Sequence, residues 1–149
     1  QHALSALLGV VPMPKQWTFD AAKYIRAKNE VDRRSMCPMV LKALKESLSA
    51  LSLGDGRPLR VADVGAGLLS MLEVAESLAK DHGARLEYTA LETEESLMRE
   101  NRDSLLARGF SAGPCAHPAF SGDAAETLRS AGGDITVHLV KEDFLRVPR

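Results

Sequence analysis

Three acidic residues and one glycine turn carry the chemistry that this sequence makes legible. Asp63 stands two residues ahead of Gly65-Ala66-Gly67 in VADVGAGLL, Glu92 ends the run YTALE, and Asp143 lies in VKEDFL. A Gly-x-Gly turn is tight and lets the backbone come close to a ligand, an approach that a Cβ would block. Glu92 follows Gly65 by 27 residues. A carboxylate at that place can accept hydrogen bonds from the vicinal hydroxyls of a ribose. The constellation is that of a nucleotide-type cofactor site.

The elements that must position these residues follow from the hydrophobic spacing. WTFDAAKYIRAKNE, with Phe19, Tyr24 and Ile25 on one side and Asp20 near its start, predicts a short amphipathic helix. Pro38 disfavours helix at Cys37 and opens the next helix, where Val40, Leu41, Leu44, Leu48 and Leu51 form one apolar stripe that Gly54 ends. The spacing then predicts strands over 59–64, 86–91 and 135–140. Helices are predicted over 68–82, ending at Gly83, and over 93–108, with Thr93 as N-cap and Gly109 as terminator. SAGPCAHPAFSG reads as a loop and 124–131 as a short helix. Strands alternating with helices indicate parallel strands joined by right-handed crossovers, an α/β fold. In such sheets ligands bind beyond the carboxyl ends of the strands. Asp63, Glu92 and Asp143 all fall at that edge.

Length and composition bound the rest. The chain has 149 residues, 45% hydrophobic and 26% charged, the mix of a globular domain. A net charge of -1 gives no footprint for nucleic acid or an anionic membrane. No apolar run approaches the roughly 20 residues of a membrane span. The start, QHALSALLGVVPMP, is apolar without a basic n-region, so it reads as a loose arm rather than a signal peptide. With no initiator Met, it also reads as a start inside a longer product. Cys37 and Cys115 are too few and too far apart for a disulfide framework and imply free thiols in a reducing, cytoplasmic setting. Cys115-Ala-His117 lacks the second ligand pair that zinc needs, so no metal is expected. His2, His82 and His138 read as structural or solvated rather than catalytic, and there is no GxSxG, HExxH or lysine-bearing phosphate loop.

Two cofactor types compete for the glycine turn. A dinucleotide would lay its pyrophosphate on the turn and the following helix start, and 65–70 misses GxGxxG only by Ser70. Asp63 would then face like charge. S-adenosylmethionine has no phosphate. Its ammonium can use an acid and its carboxylate the amides at a helix start. Asp63 therefore favours the sulfonium cofactor.

VADVGAGLL, YTALE and VKEDFL together resemble the class I S-adenosylmethionine-dependent methyltransferases. The resemblance covers about 59–145. It implies that Gly65, Ala66 and Gly67 line the methionine end and that Asp63 serves the amino group, directly or through water. It further implies that Glu92, with Thr93 beside it, holds the ribose, and that Asp143 with Phe144 borders the adenine. The upstream WTFDAAKYIRAKNEVDRRS is similar, more loosely, to the helical lead-in of some small-molecule methyltransferases. Leu69 stands where the family has its third glycine. The family sheet has seven strands in the order 3-2-1-4-5-7-6, of which the resemblance supplies strands 3-2-1. It thus implies a Rossmann-like parallel sheet with helices on both faces, in an incomplete methyltransferase fold.

The expectation is a helical lead-in over 1–57 and a partial cofactor-binding domain over 58–149. The reaction would be methyl transfer to a small-molecule acceptor, with no nucleic acid or membrane partner and with no catalytic base identified. Tyr24, Lys28, Arg33 and Arg34 read either as a lid that contacts substrate or as a solvated basic helix end. An NAD-dependent oxidoreductase fragment and a non-catalytic methyltransferase-like module are the alternatives. With three strands, 59–64 would be an apolar edge, covered by a second copy in a homodimer or by a missing C-terminal half.

Overall fold

The computed structural model describes residues 20–50, 56–120, 125–143 and 145. Within them run α1 (Ala21–Ser35), α2 (Pro38–Ser49), β1 (Leu59–Val64), α3 (Leu72–Asp81), β2 (Leu86–Glu92), α4 (Glu95–Ala107), β3 (Ser111–Pro114), β4 (Ala125–Arg129) and β5 (Ile135–Lys141). The five strands form one mixed sheet in the order β1-β2-β5-β4-β3. β1, β2 and β5 are parallel, while β4 runs antiparallel to β5 and β3 antiparallel to β4. The fold is α/β.

That order differs from the expected three-strand parallel sheet. The segment read as a loop contains β3, and the one read as a short helix contains β4. In β4, Leu128 enters the core on one face and Thr127 is buried on the other. A run of five residues is too short for its own spacing to separate helix from strand, and pairing with β5 decides it.

The helices also depart from expectation. Leu59, Leu86, Tyr88, Ala90, Val137 and Leu139 share one core with Leu72, Ala75, Leu78 and Ala79 of α3 and Leu105 of α4. Both crossover helices therefore lie on one face rather than on both. The steps from β1 to β2 and from β2 to β5 go the same way across the sheet, and right-handed crossovers that do so share a face. On the opposite face Thr89, Leu91, Thr127, His138 and Val140 are buried. There the segment after β3 folds over the sheet, with the His117 ring 4.9 Å from that of His138.

α1 starts as Asp20 accepts a hydrogen bond from the Lys23 amide (2.9 Å), and α2 starts on Pro38. The α2 stripe is mostly uncovered. Val40 and Leu44 are exposed, Leu48 packs against the core, and Leu51 and Gly54 lie outside the described residues. α2 meets α3 through Lys45–Asp81 (2.8 Å) and Ser49–His82 (3.1 Å). Turns over 68–71 delay α3 to Leu72, and Glu94 rather than Thr93 caps α4.

β1 ends the sheet. The Leu59 amide donates to Arg85 and the Gly65 amide to Leu91, so odd-numbered amides point to β2 and even-numbered ones outward. Hydrogen exchange is therefore expected to be slow at Val61 and Asp63 and fast at Arg60, Ala62 and Val64. Protection of those three in the isolated chain would show that another strand pairs along this edge.

Candidate functional site

Val64, Leu91 and Val140 stand side by side in the register, so β1, β2 and β5 end together. Beyond their carboxyl ends lies a cleft of about 350 Å³. Gly65, Glu92, Thr93 and Asp143 line it, with Val64, Leu91 and Glu142. Four of the eight residues named from the sequence thus border one space. Phe144 lies outside the described residues. Ala66 and Gly67 are buried beneath the turn, and Asp63 does not line the cleft.

The turn owes its shape to two glycines in the left-handed region. Gly65 has φ 68° and open space where a Cβ would stand. Gly67 has φ 53°, and a Cβ there would sit 3.4 Å from the Ile25 side chain of α1. Leu69 adopts φ 55°, a conformation that costs a side-chain-bearing residue roughly 1–2 kcal/mol. The third position of the turn therefore keeps a glycine-like backbone without a glycine.

Hydrogen bonds bind the turn to the sheet. The amides of Gly65 (2.9 Å) and Ala66 (3.1 Å) both donate to the Leu91 carbonyl. The Gly67 amide donates to Glu92 Oε2 (2.9 Å), while Glu92 Oε1 accepts from the amides of Thr93 (2.8 Å) and Glu94 (3.0 Å). The Gly67 carbonyl accepts from Asn101 Nδ2 (2.7 Å). One residue, Gly67, is thus gripped through the two peptide groups that flank it, by Glu92 on its N–H and by Asn101 on its C=O. Sequence reasoning missed Asn101. Its signal was spacing: Leu97, Asn101 and Leu105 recur every four residues on the buried side of α4, one polar group among apolar ones.

Asp63 turns to the core face, where its carboxylate accepts a hydrogen bond from the hydroxyl of the fully buried Tyr88. Burial first, then this hydrogen bond and the Asp63 charge, push the Tyr88 pKa well above the usual phenol value. Asp143 accepts from the Leu145 amide (3.0 Å), and its own amide donates to Glu142 Oε1 (3.0 Å). Glu142 also escaped sequence reasoning, although it adjoins Asp143. Three carboxylates, Glu92, Glu142 and Asp143, therefore line the cleft, and among the described residues no Lys or Arg lines it.

α1 approaches the turn through Ile25 beside Gly67, and the Arg26–Glu100 ion pair ties it to α4. Lys28 pairs with Asp32 and Arg34 with Glu30 along the helix, and the Arg33 side chain lies outside the described residues. Among the described residues no group of three His, Cys, Asp or Glu could hold a metal ion. Cys115 instead bonds within its own segment, to the Phe120 carbonyl (3.4 Å). No helix among them is long and apolar enough to cross a membrane.

No family model matches this chain. No curated protein matches it in sequence either.

Proposed function

We propose that the cleft binds S-adenosylmethionine and that the chain is the cofactor-binding portion of a methyltransferase acting on a small molecule in the cytoplasm. The observation that carries this reading is the charge of the cleft: among the described residues it is lined by three carboxylates and no basic side chain. A sulfonium and an ammonium suit such a space, whereas a pyrophosphate does not. The turn argues the same way. A dinucleotide needs turn amides aimed at its phosphates, and those of Gly65, Ala66 and Gly67 are spent on Leu91 and Glu92.

The residues present fit the cofactor. The open space above Gly65 would take ligand atoms that a Cβ would displace. Glu92 has room for one ribose hydroxyl, since a carboxylate offers about four acceptor positions and three are filled. Asp143 and Thr93 border the remaining wall. At about 350 Å³ the cleft falls within the roughly 300–1,000 Å³ of small-molecule sites. Bound there, the cofactor supplies an activated methyl group for in-line displacement by an acceptor nucleophile. The chain's part is to hold and orient. A Rossmann-like arrangement is supported by the parallel trio β1-β2-β5 and by the glycine-like backbone at Leu69.

Titration calorimetry with S-adenosylmethionine, S-adenosylhomocysteine and NAD tests the reading. The first should bind with a dissociation constant on the order of 1–100 µM, and NAD should not bind at about 1 mM. Tighter binding of NAD would move the chain to the oxidoreductases. Binding of none by a folded sample would leave the non-catalytic module.

A further inference from the structure

A second cleft, of about 320 Å³, opens at the other end of the parallel strands, beside their amino ends. Arg60, Arg85 and Arg129 line it together with Glu87, Asp134 and His138. The sheet register builds it: Arg60 stands beside Glu87, Glu87 beside Thr136, and Thr136 beside Arg129, so one row of one face carries these side chains. Three guanidinium groups against two carboxylates leave a surplus of positive charge.

The unfilled groups are donors. Arg60 Nε bonds Glu87 Oε2 (2.9 Å) and Arg85 Nη2 bonds the Gly56 carbonyl (3.1 Å), and neither bond uses the whole guanidinium. Arg129 has no carboxylate partner among the described residues. His138 is only 2% exposed, and its Nδ1 lies 2.9 Å from Thr127 Oγ1. That hydroxyl already accepts from the Ala116 amide (2.9 Å) and has its own proton to give. With Nδ1 as acceptor, the neutral ring carries its proton on Nε2. Burial, with His117 alongside, lowers the His138 pKa and keeps it neutral. Nε2 has no hydrogen-bond partner, and Glu87 Oε1 stands 3.6 Å away, beyond bonding distance. An orphaned buried donor on the wall of a cleft rimmed by guanidinium groups calls for acceptor oxygens.

We propose that this cleft binds the oxyanion of a small molecule, a phosphate ester or a dicarboxylate, with Arg129 and Arg85 as its anchors and His138 as a buried donor. Glu87 is tied to the exposed Arg60, so the pair can turn aside and open Nε2–H to a ligand oxygen. A guanidinium fork matches either anion. The site is separate from the acid-lined cleft and stands whether or not that cleft takes S-adenosylmethionine.

The test is a heteronuclear NMR titration of the full chain at neutral pH and about 0.15 M salt. Inorganic phosphate and malonate are the probes, in separate arms. Saturable shifts are expected at the amides of Arg129, Asp134 and Thr136 and at the His138 ring, with half-saturation on the order of 1 mM. Arg129→Gln and Arg85→Gln should each weaken binding about fivefold or more, and Glu87→Gln should tighten it. Tighter phosphate assigns an ester and tighter malonate a dicarboxylate. Shifts still linear at about 20 mM, or an Arg129→Gln variant that titrates like the parent, would overturn the site.

Discussion

Glu92→Ala is expected to lower folding stability by about 2–4 kcal/mol and to remove cofactor binding in the same step. The carboxylate is 9% exposed and accepts three backbone N–H groups, from Gly67, Thr93 and Glu94. An unsatisfied buried donor costs about 1–3 kcal/mol. Gly67 is buried and bears that cost in full, while Thr93 and Glu94 are exposed and can turn to water. The expectation that Glu92 holds both ribose hydroxyls is thereby reduced to one hydroxyl, because the turn claims the other positions. Binding and stability become linked through the Gly67 peptide. Urea denaturation and calorimetry on the same samples check this. Glu92→Gln keeps the side chain's size but points an NH₂ at one set of donors, so it should fall between the parent and the alanine variant in both measurements. A Glu92→Ala protein with the parent's urea midpoint would sink the anchoring role.

The parallel strands were legible because each is a short apolar run closed by a glycine or an acid. β1, β2 and β5 sit where that pattern placed them. β3 and β4 were not, for a physical reason. Gly113 and Pro114 are turn-type residues by composition, yet they pair with Thr127 and Glu126. That pairing joins segments that local spacing cannot connect. The acids at the strand tips were legible as positions, since a parallel sheet brings its carboxyl ends together. Their partners were not. Asp63 reads as a free charge beside a glycine turn, but an even spacing within β1 sends it to the core face with Leu59 and Val61, and the register sets Val61 beside Tyr88. A carboxylate on that face meets the phenol that the neighbouring strand supplies. Asn101 was within reach as the one polar residue in an apolar stripe, a place where burial requires a partner.

Tyr88→Phe is expected to cost about 2 kcal/mol at neutral pH, the scale of a hydrogen bond to a charged group, and to change how stability falls in alkali. In the unfolded chain the phenol loses its proton near pH 10. In the folded protein burial and the Asp63 carboxylate hold that proton well above this value. The folded state therefore binds more protons than the unfolded state above about pH 10, and stability drops as pH rises, by up to about 1.4 kcal/mol per pH unit from this one group. Below pH 10 its contribution is complete. The variant has no such proton, so the gap between parent and variant should be constant through neutrality and shrink above about pH 10. Asp63→Asn leaves an oxygen to accept the Tyr88 hydroxyl while removing the charge. It should keep most of the neutral-pH stability and, because Asp63 faces Tyr88 rather than the cleft, leave S-adenosylmethionine affinity close to the parent's. Denaturation midpoints across the alkaline range decide the first point. A gap that stays constant from about pH 9 to about pH 11.5 would mean that the Tyr88 proton is not held by the fold.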